Sequence, residues 1–256
     1  MHLNPEGAFF LGLKIGRRSA DLTLVDFMGR VRGIERQIYR YPSPSAVVAF
    51  VARALPQVLA ALTPAERSRI SGMGVAMPFQ LWSWVQLIGA PQSEMDAWRE
   101  RDIQADLAEI VGMPVYVQND GTSACGAELV FGTGERPRDF LYFYFGYFIG
   151  GGLVLNGQLF LGRSGNAAGV GPLPVPGADG KMQRLLDVAS MSKLAEAMEA
   201  AGESSDHLWE RPDEWTVSPA VLSAWMDQAA EGLAWAAFSA ASLLEIEAVM
   251  IDGWMP

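Results

Sequence analysis

The sequence predicts a mixed α/β protein built as two lobes. Three observations predict it. Three strand-like segments, at 9–15, 20–27 and 31–39, precede any helical pattern. Helical stripes then alternate with short apolar strands as far as about residue 118. A second set opens at 119 with a helix start and two long aromatic strands. The lobe boundaries read as 1–118 and 119–256, the second lobe ending before its pattern is complete.

Each element has a local reason. Met28-Gly29-Arg30 is a tight turn between the second and third strands, and Leu22 and Leu24 show the alternation of a half-buried strand. Pro42 and Pro44 end this meander. Residues 45–62 read as a helix with Val47, Val48, Val51, Leu55, Leu59 and Leu62 on one stripe, kinked at Pro56. Residues 70–77 are an apolar strand stopped by Pro78, and 79–98 read as irregular, with Trp82, Trp84 and Trp98. Asp102 is a cap and Gly112 a stop for the next helix. A strand at 114–118 leads to Asn119 or Asp120, which caps a helix to about 131. Strands follow at 139–145 and 149–155, and Asn156-Gly157 is a hairpin turn into 158–161. Residues 162–187, rich in Gly and Pro, read as loop, 188–201 as helix and 202–216 as polar connection. Ser218-Pro219 opens a long helix with Leu222, Trp225, Met226, Ala229, Leu233, Ala236, Ala237, Ala240 and Leu244 as its buried stripe. A last strand covers 248–251. The order βββαβαβα of the first half matches one lobe of the actin-like, ribonuclease-H-like ATPase fold.

Composition removes several functions. The chain has 19 Lys and Arg against 29 Asp and Glu, a net charge of -10, and its longest basic run is Arg17-Arg18. Binding of nucleic acid through this chain is therefore not expected. One cysteine, Cys125, excludes an internal disulfide and a multi-cysteine zinc ribbon; it reads as a buried small hydrophobe. The two histidines, His2 and His207, are far apart, so no His/Cys metal cluster is expected. No secretory signal opens the sequence, and the apolar run 140–155 is too short and too glycine-rich to span a bilayer as a helix. These points predict a cytoplasmic protein with no membrane contact.

Several segments resemble the ROK family of repressors and sugar kinases, over about residues 9–253. LGLKIGRRSADLTLVDFMG resembles its first phosphate loop, usually Asp-Ile-Gly-Gly-Thr, but Lys14 stands at the Asp and Arg17 and Arg18 stand at the Gly and Thr after Gly16. Asn119-Asp120 matches the family's Asn-Asp, in which the Asp is the general base for phosphoryl transfer and the Asn binds sugar hydroxyls. Asp is also a favoured helix cap, and the two roles coexist. FGYFIGGG resembles the second phosphate hairpin; Gly146, Gly150, Gly151 and Gly152 remain, while Tyr147 and Phe148 replace Thr and Gly. GRSGNAAGVGPLPVPG resembles the sugar loop; Asn166 remains, Gly169 replaces a sugar-binding Glu and Pro172 replaces a His. The family's cysteine cluster is absent, which implies no structural zinc. IDGWMP resembles the adenosine loop, with Gly253 retained and Trp254 in place of the second Gly.

The resemblance implies a two-lobed actin-like fold with the second lobe truncated at its C-terminus. It implies a small-molecule sugar ligand between the lobes at Asn119, Asp120 and Asn166. Changes at every nucleotide contact favour the sugar-sensing domain of a transcriptional regulator over a kinase. The rival reading is an ATP-dependent kinase for a hexose or amino sugar, with Asp120 as base and ATP with magnesium as cofactor. A third is an interaction protein that binds no sugar. Trp225, Trp235, Phe238 and Trp254 exceed what one helix face buries in so small a lobe, which predicts self-association into a homo-oligomer.

Overall fold

The computed structural model describes residues 2–79, 81–132, 137–177, 180–210 and 214–253. Its chain divides into two units, Met1–Asp120 and Gly121–Pro256.

In the first unit, β1 (Phe9–Ile15), β2 (Ser19–Asp26) and β3 (Val31–Ile38) form the expected antiparallel meander. Gly29, at φ 78°, supplies the left-handed turn residue between β2 and β3. Helix α1 (Pro44–Leu59) starts where the Ser43 hydroxyl accepts the Ala46 N–H and Pro44 fills the first position, where no donor is needed. Pro56 lies inside α1, and its ring stays exposed. The helix is turned so that Phe50 and Ala54 are buried with Val47, Val51 and Val58, while the expected Val48, Leu55 and Leu59 sit at its margin. A short α2 (Pro64–Arg67), closed by a capping box from Thr63 and Glu66, precedes β4 (Ile70–Met77).

The stretch expected to be irregular is helical over much of its length. It holds a 3-10 turn at Leu81–Trp84, then α3 (Val85–Ile88) and α4 (Gln92–Glu100). Only Met95 and Trp98 of α4 are fully buried, too few to print a stripe in the sequence. α5 (Ile103–Val111) has the expected Asp102 cap and a left-handed Gly112, and β5 (Val115–Asn119) follows. The sheet runs β3-β2-β1-β4-β5, with β4 parallel to both β1 and β5.

Helix α6 (Asp120–Phe131) begins at the boundary between the units. In the second unit β6 (Phe140–Phe145) and β7 (Ile149–Leu155) pair as a hairpin. Asn156 and Gly157, both at positive φ, turn the chain into a short β8 (Gln158–Leu159). Residues expected to be loop carry β9 (Pro174–Pro176), β10 (Met182–Arg184) and α7 (Leu186–Ala189). Two prolines in three residues hide β9, because only Val175 between them can donate a strand hydrogen bond.

α8 (Met191–Ala200), α9 (His207–Glu210), α10 (Pro219–Leu243) and β11 (Ala248–Gly253) complete the unit. Its sheet runs β11-β6-β7-β8, with β11 parallel to β6. α10 buries Trp225, Ala229, Gly232 and Ala236. Met226, expected in that stripe, is exposed. The seam uses small residues because α10 lies close to α7; a Cβ at Gly232 would meet Val188 Cγ2 at 2.9 Å. Trp235 and Phe238 are exposed, while Trp254 lies outside the described residues. Among the described residues no helix is long and apolar enough to cross a membrane.

Candidate functional site

In the first unit, the C-terminal ends of the parallel strands β1, β4 and β5 carry the residues singled out by sequence. Lys14 pairs with Ala76, Ala76 with Gln118, and Met77 with Asn119. Gly16, Pro78 and Asp120 therefore follow at one level, and two strand spacings put Gly16 roughly 10 Å from Asp120. This is the edge at which open α/β sheets bind ligands.

The Gly16–Ser19 turn is closed from within. The Gly16 N–H donates to the Ser19 carbonyl at 2.8 Å, and the Tyr39 N–H donates to the Arg18 carbonyl at 2.8 Å. The Tyr39 hydroxyl lies 2.7 Å from both the Gly16 and Ser19 carbonyl oxygens. Burial, with Asp21 nearby, raises the Tyr39 pKa, so the hydroxyl keeps its proton as donor. Sequence reasoning missed Tyr39, because a hydroxyl serving main-chain carbonyls twenty residues away leaves no motif. Lys14, at the position of the family's Asp, stands opposite Asp21 on β2, and Asp21 stands opposite Arg36 on β3. The Arg36 guanidinium donates to the Asp21 carboxylate. Lys14 thus ends a row of alternating charge across three strands.

Asn119 is the last residue of β5 and Asp120 the first of α6, both half-buried. A carboxylate in the first turn of a twelve-residue helix is stabilised by the helix dipole. Of the three tryptophans in 79–98, Trp98 is buried and donates its indole N–H to the Pro42 carbonyl at 3.1 Å. Trp82 lies under the Arg99 guanidinium at 5.7 Å. The Trp84 side chain is outside the described residues.

In the second unit the turn between β6 and β7 is tied to α8. The Gly146 carbonyl accepts from the Met191 N–H at 3.3 Å and the Tyr147 carbonyl from the Ser192 N–H at 3.0 Å. Two donors at the start of α8, of the kind that hold anions elsewhere, are thereby used by the turn. Buried Ser190 accepts the Ile149 N–H on its hydroxyl at 3.0 Å and the Trp225 indole N–H on its carbonyl at 3.3 Å. Tyr147 packs edge-on against Phe148 with ring centroids 4.8 Å apart, and against Trp209 at 5.3 Å.

The surviving glycines have steric reasons of their own. A Cβ on Gly151 would lie 2.6 Å from the Tyr142 carbonyl oxygen, and one on Gly152 only 2.3 Å from Cys125 Cβ. Gly253, at φ 142°, would place a Cβ 2.3 Å from the Phe145 carbonyl oxygen. Gly150 faces Gly121 at ordinary contact distance. Asn166 is exposed on the loop after β8, its amide nitrogen 3.3 Å from where a Cβ of Gly169 would stand; Pro172 is also exposed.

Cys125 is fully buried, and burial, helped by Glu128, pushes its thiol up to about 12. Native protein at pH 8 is expected to resist iodoacetamide and to react fully once unfolded in guanidinium. Labelling of the native chain at the rate of a free thiol would contradict the burial. Among the described residues, no group of three His, Cys, Asp or Glu side chains is placed to hold a metal ion.

The ROK family profile matches residues 10–186. The protein y4fQ of Sinorhizobium fredii is 27% identical over 168 residues, covering 65% of this chain and 42% of that protein. The xylose repressor of Bacillus subtilis is 25% identical over 104 residues, 41% of this chain and 26% of the repressor. The matched part thus spans less than half the length of either relative. Among solved structures, a ROK family glucokinase from Streptomyces griseus, in complex with glucose and AMPPNP, superposes with a TM-score of 0.71 at 20% identity, covering 96% of this chain and 83% of that one. That likeness establishes the actin-like ATPase fold. The chain belongs to the ROK family, which among its relatives includes both sugar kinases and repressors.

Proposed function

We propose that this chain is a sugar-binding, sugar-sensing domain of the ROK regulator type, and that it does not transfer phosphate. One observation carries the reading. The turn at the position of the family's first phosphate loop is occupied by Arg17 and Arg18 and closed by its own hydrogen bonds and by Tyr39. A phosphate cradle needs inward main-chain N–H groups and small residues that admit the phosphates. Here the Gly16 N–H serves Ser19, and two long side chains occupy the Gly-Thr positions. The second hairpin agrees with this, since Tyr147, Phe148 and Trp209 pack together beside it. These residues do not fit ATP with magnesium. What is retained suits recognition: Asn119 and Asp120, at the strand-end edge of the first unit, offer an amide and a carboxylate to sugar hydroxyls.

The chain incubated with Mg-ATP and a panel of hexoses and N-acetylhexosamines is expected to form no sugar phosphate, while one member of the panel raises its thermal midpoint. ATP-dependent turnover that disappears in Asp120→Asn would establish the kinase reading, with Asp120 as general base. A panel in which no sugar moves the midpoint would instead favour an interaction protein.

A further inference from the structure

We propose that the turn between β2 and β3 forms a second ligand site, for a small zwitterion of the α-amino-acid class, separate from the sugar edge. Asn4, Glu6, Asp26, Arg30 and Arg32 line a cleft of about 530 Å³ there, a volume in the range of small-molecule sites. Asp26 pairs with Phe9 at the start of β1, whereas the Gly16 turn follows the end of β1. The cleft therefore lies at the opposite end of the same sheet, roughly 20 Å from that turn.

The cleft holds a carboxylate that the fold has only half used. The Asp26 side chain is 1% exposed. Its Oδ1 accepts the Met28 N–H at 2.9 Å and the Arg30 N–H at 3.1 Å, which shapes the turn. Its Oδ2 is buried, and no described residue donates a hydrogen bond to it. The Arg32 guanidinium stands 3.7 Å from Oδ2, too far for a hydrogen bond. Arg32 thus balances the charge of this oxygen without satisfying its lone pairs, and a buried acceptor in that condition calls for a donor. Among the described residues the Arg30 guanidinium and the Glu6 carboxylate have no ion-pair or hydrogen-bond partner, so the cleft also carries one open charge of each sign.

These charges select the ligand. A purely anionic molecule meets Asp26 and Glu6, and a purely cationic one meets Arg30 and Arg32. A molecule with an ammonium and a carboxylate on one carbon suits both pairs. Its ammonium donates to Asp26 Oδ2 as the Arg32 head group, a third exposed, moves off that oxygen. Its carboxylate then takes the guanidinium forks of Arg32 and Arg30, whose planar geometry matches two oxygens. Every charge separated by the exchange regains a partner. A neutral sugar entering the same way would leave Asp26 and Arg32 parted with no charge for either. One wall of the cleft is set in advance, because the Phe27 N–H donates to the Pro5 carbonyl at 3.0 Å and the Glu6 N–H to the Asn4 side-chain oxygen at 3.1 Å.

Calorimetry and thermal-shift measurements on the full chain test this with a panel of free α-amino acids and with the N-acetyl and carboxamide forms of each. At least one amino acid is expected to bind and to raise the thermal midpoint. Its N-acetyl and carboxamide forms, each lacking one charge, should bind about tenfold more weakly. Arg32→Gln and Arg30→Gln should each weaken the amino acid by a similar factor. Asp26→Asn keeps an oxygen for the Met28 and Arg30 N–H groups but puts an amide that cannot accept in place of Oδ2, and should abolish binding. Unchanged circular dichroism would verify that the variants fold, and the two arginine variants decide the matter where Asp26→Asn does not. None of the three should alter the response to a sugar bound at the far end of the sheet. The proposal is overturned by a panel in which no amino acid binds, by binding indifferent to the variants, or by blocked forms that bind as well as the free amino acid. A sugar whose binding disappears in Arg32→Gln overturns it too, and makes the cleft a sugar subsite.

Discussion

Gly152→Val should destabilise the second unit by about 3 kcal/mol, at the upper end of what overpacking a buried site costs. Gly152 lies in β7, paired on one side with β6, and faces α6. An added Cβ would stand 2.3 Å from Cys125 Cβ and 2.8 Å from its Sγ, distances that no pair of carbon or sulfur atoms tolerates without movement. Cys125 Cβ is fixed to a helix backbone and cannot swing aside, so relief requires α6 to lift from the sheet. Tyr142, Phe140 and Val154, which pack with Cys125, would lose contact with it. Gly152→Ala should cost less, about 2 kcal/mol. Adding Cys125→Gly to the alanine variant should recover part of that loss, because it removes the opposing Cβ. A double-mutant cycle in urea measures the coupling. A valine variant within about 0.5 kcal/mol of the parent, the range of ordinary surface changes, would show that α6 and β7 are not packed as described.

Asp120→Ala should abolish the thermal shift produced by a bound sugar while barely affecting the unliganded protein. The carboxylate lies in the first turn of α6, where losing it costs about 0.5 kcal/mol through the helix dipole. A ligand present at one hundred times its dissociation constant stabilises by about 2.7 kcal/mol, so the two effects separate cleanly. Asp120→Asn keeps hydrogen-bonding capacity without the charge and should retain a weakened response. Scanning calorimetry of the three proteins with and without sugar provides the comparison. An undiminished shift in Asp120→Ala would move the sugar away from this edge.

Local chemistry made much of the fold legible. The Asp102 cap, the Gly112 stop and the Asn156-Gly157 turn each act through their own backbone or near neighbours, so the sequence carries their whole cause. Elements whose cause is distant were not legible. β9 exists because Val175 pairs with Gln183 and is buried against the core of the second unit, and two flanking prolines disguise it. The seam of α10 is legible at Trp225, Ala229 and Ala236, but not at Gly232, because a glycine chosen for close approach adds nothing to an apolar stripe. At the site, the motif residues were identified through resemblance, and strand register then set Gly16 level with Asp120. Tyr39 and Ser190, which hold the two turns in shape, act on main-chain groups far away in sequence and left no pattern.

Buried Ser190 joins three segments: its hydroxyl receives the Ile149 N–H of β7, its carbonyl receives the Trp225 indole of α10, and it is the residue from which α8 starts. The hairpin between β6 and β7 consequently has its conformation paid for by the fold before any partner arrives. A partner docking on that hairpin is expected to meet a turn already held in one shape by these hydrogen bonds. The heat-capacity change of such an encounter would report only the area covered, without the added term that accompanies folding on binding.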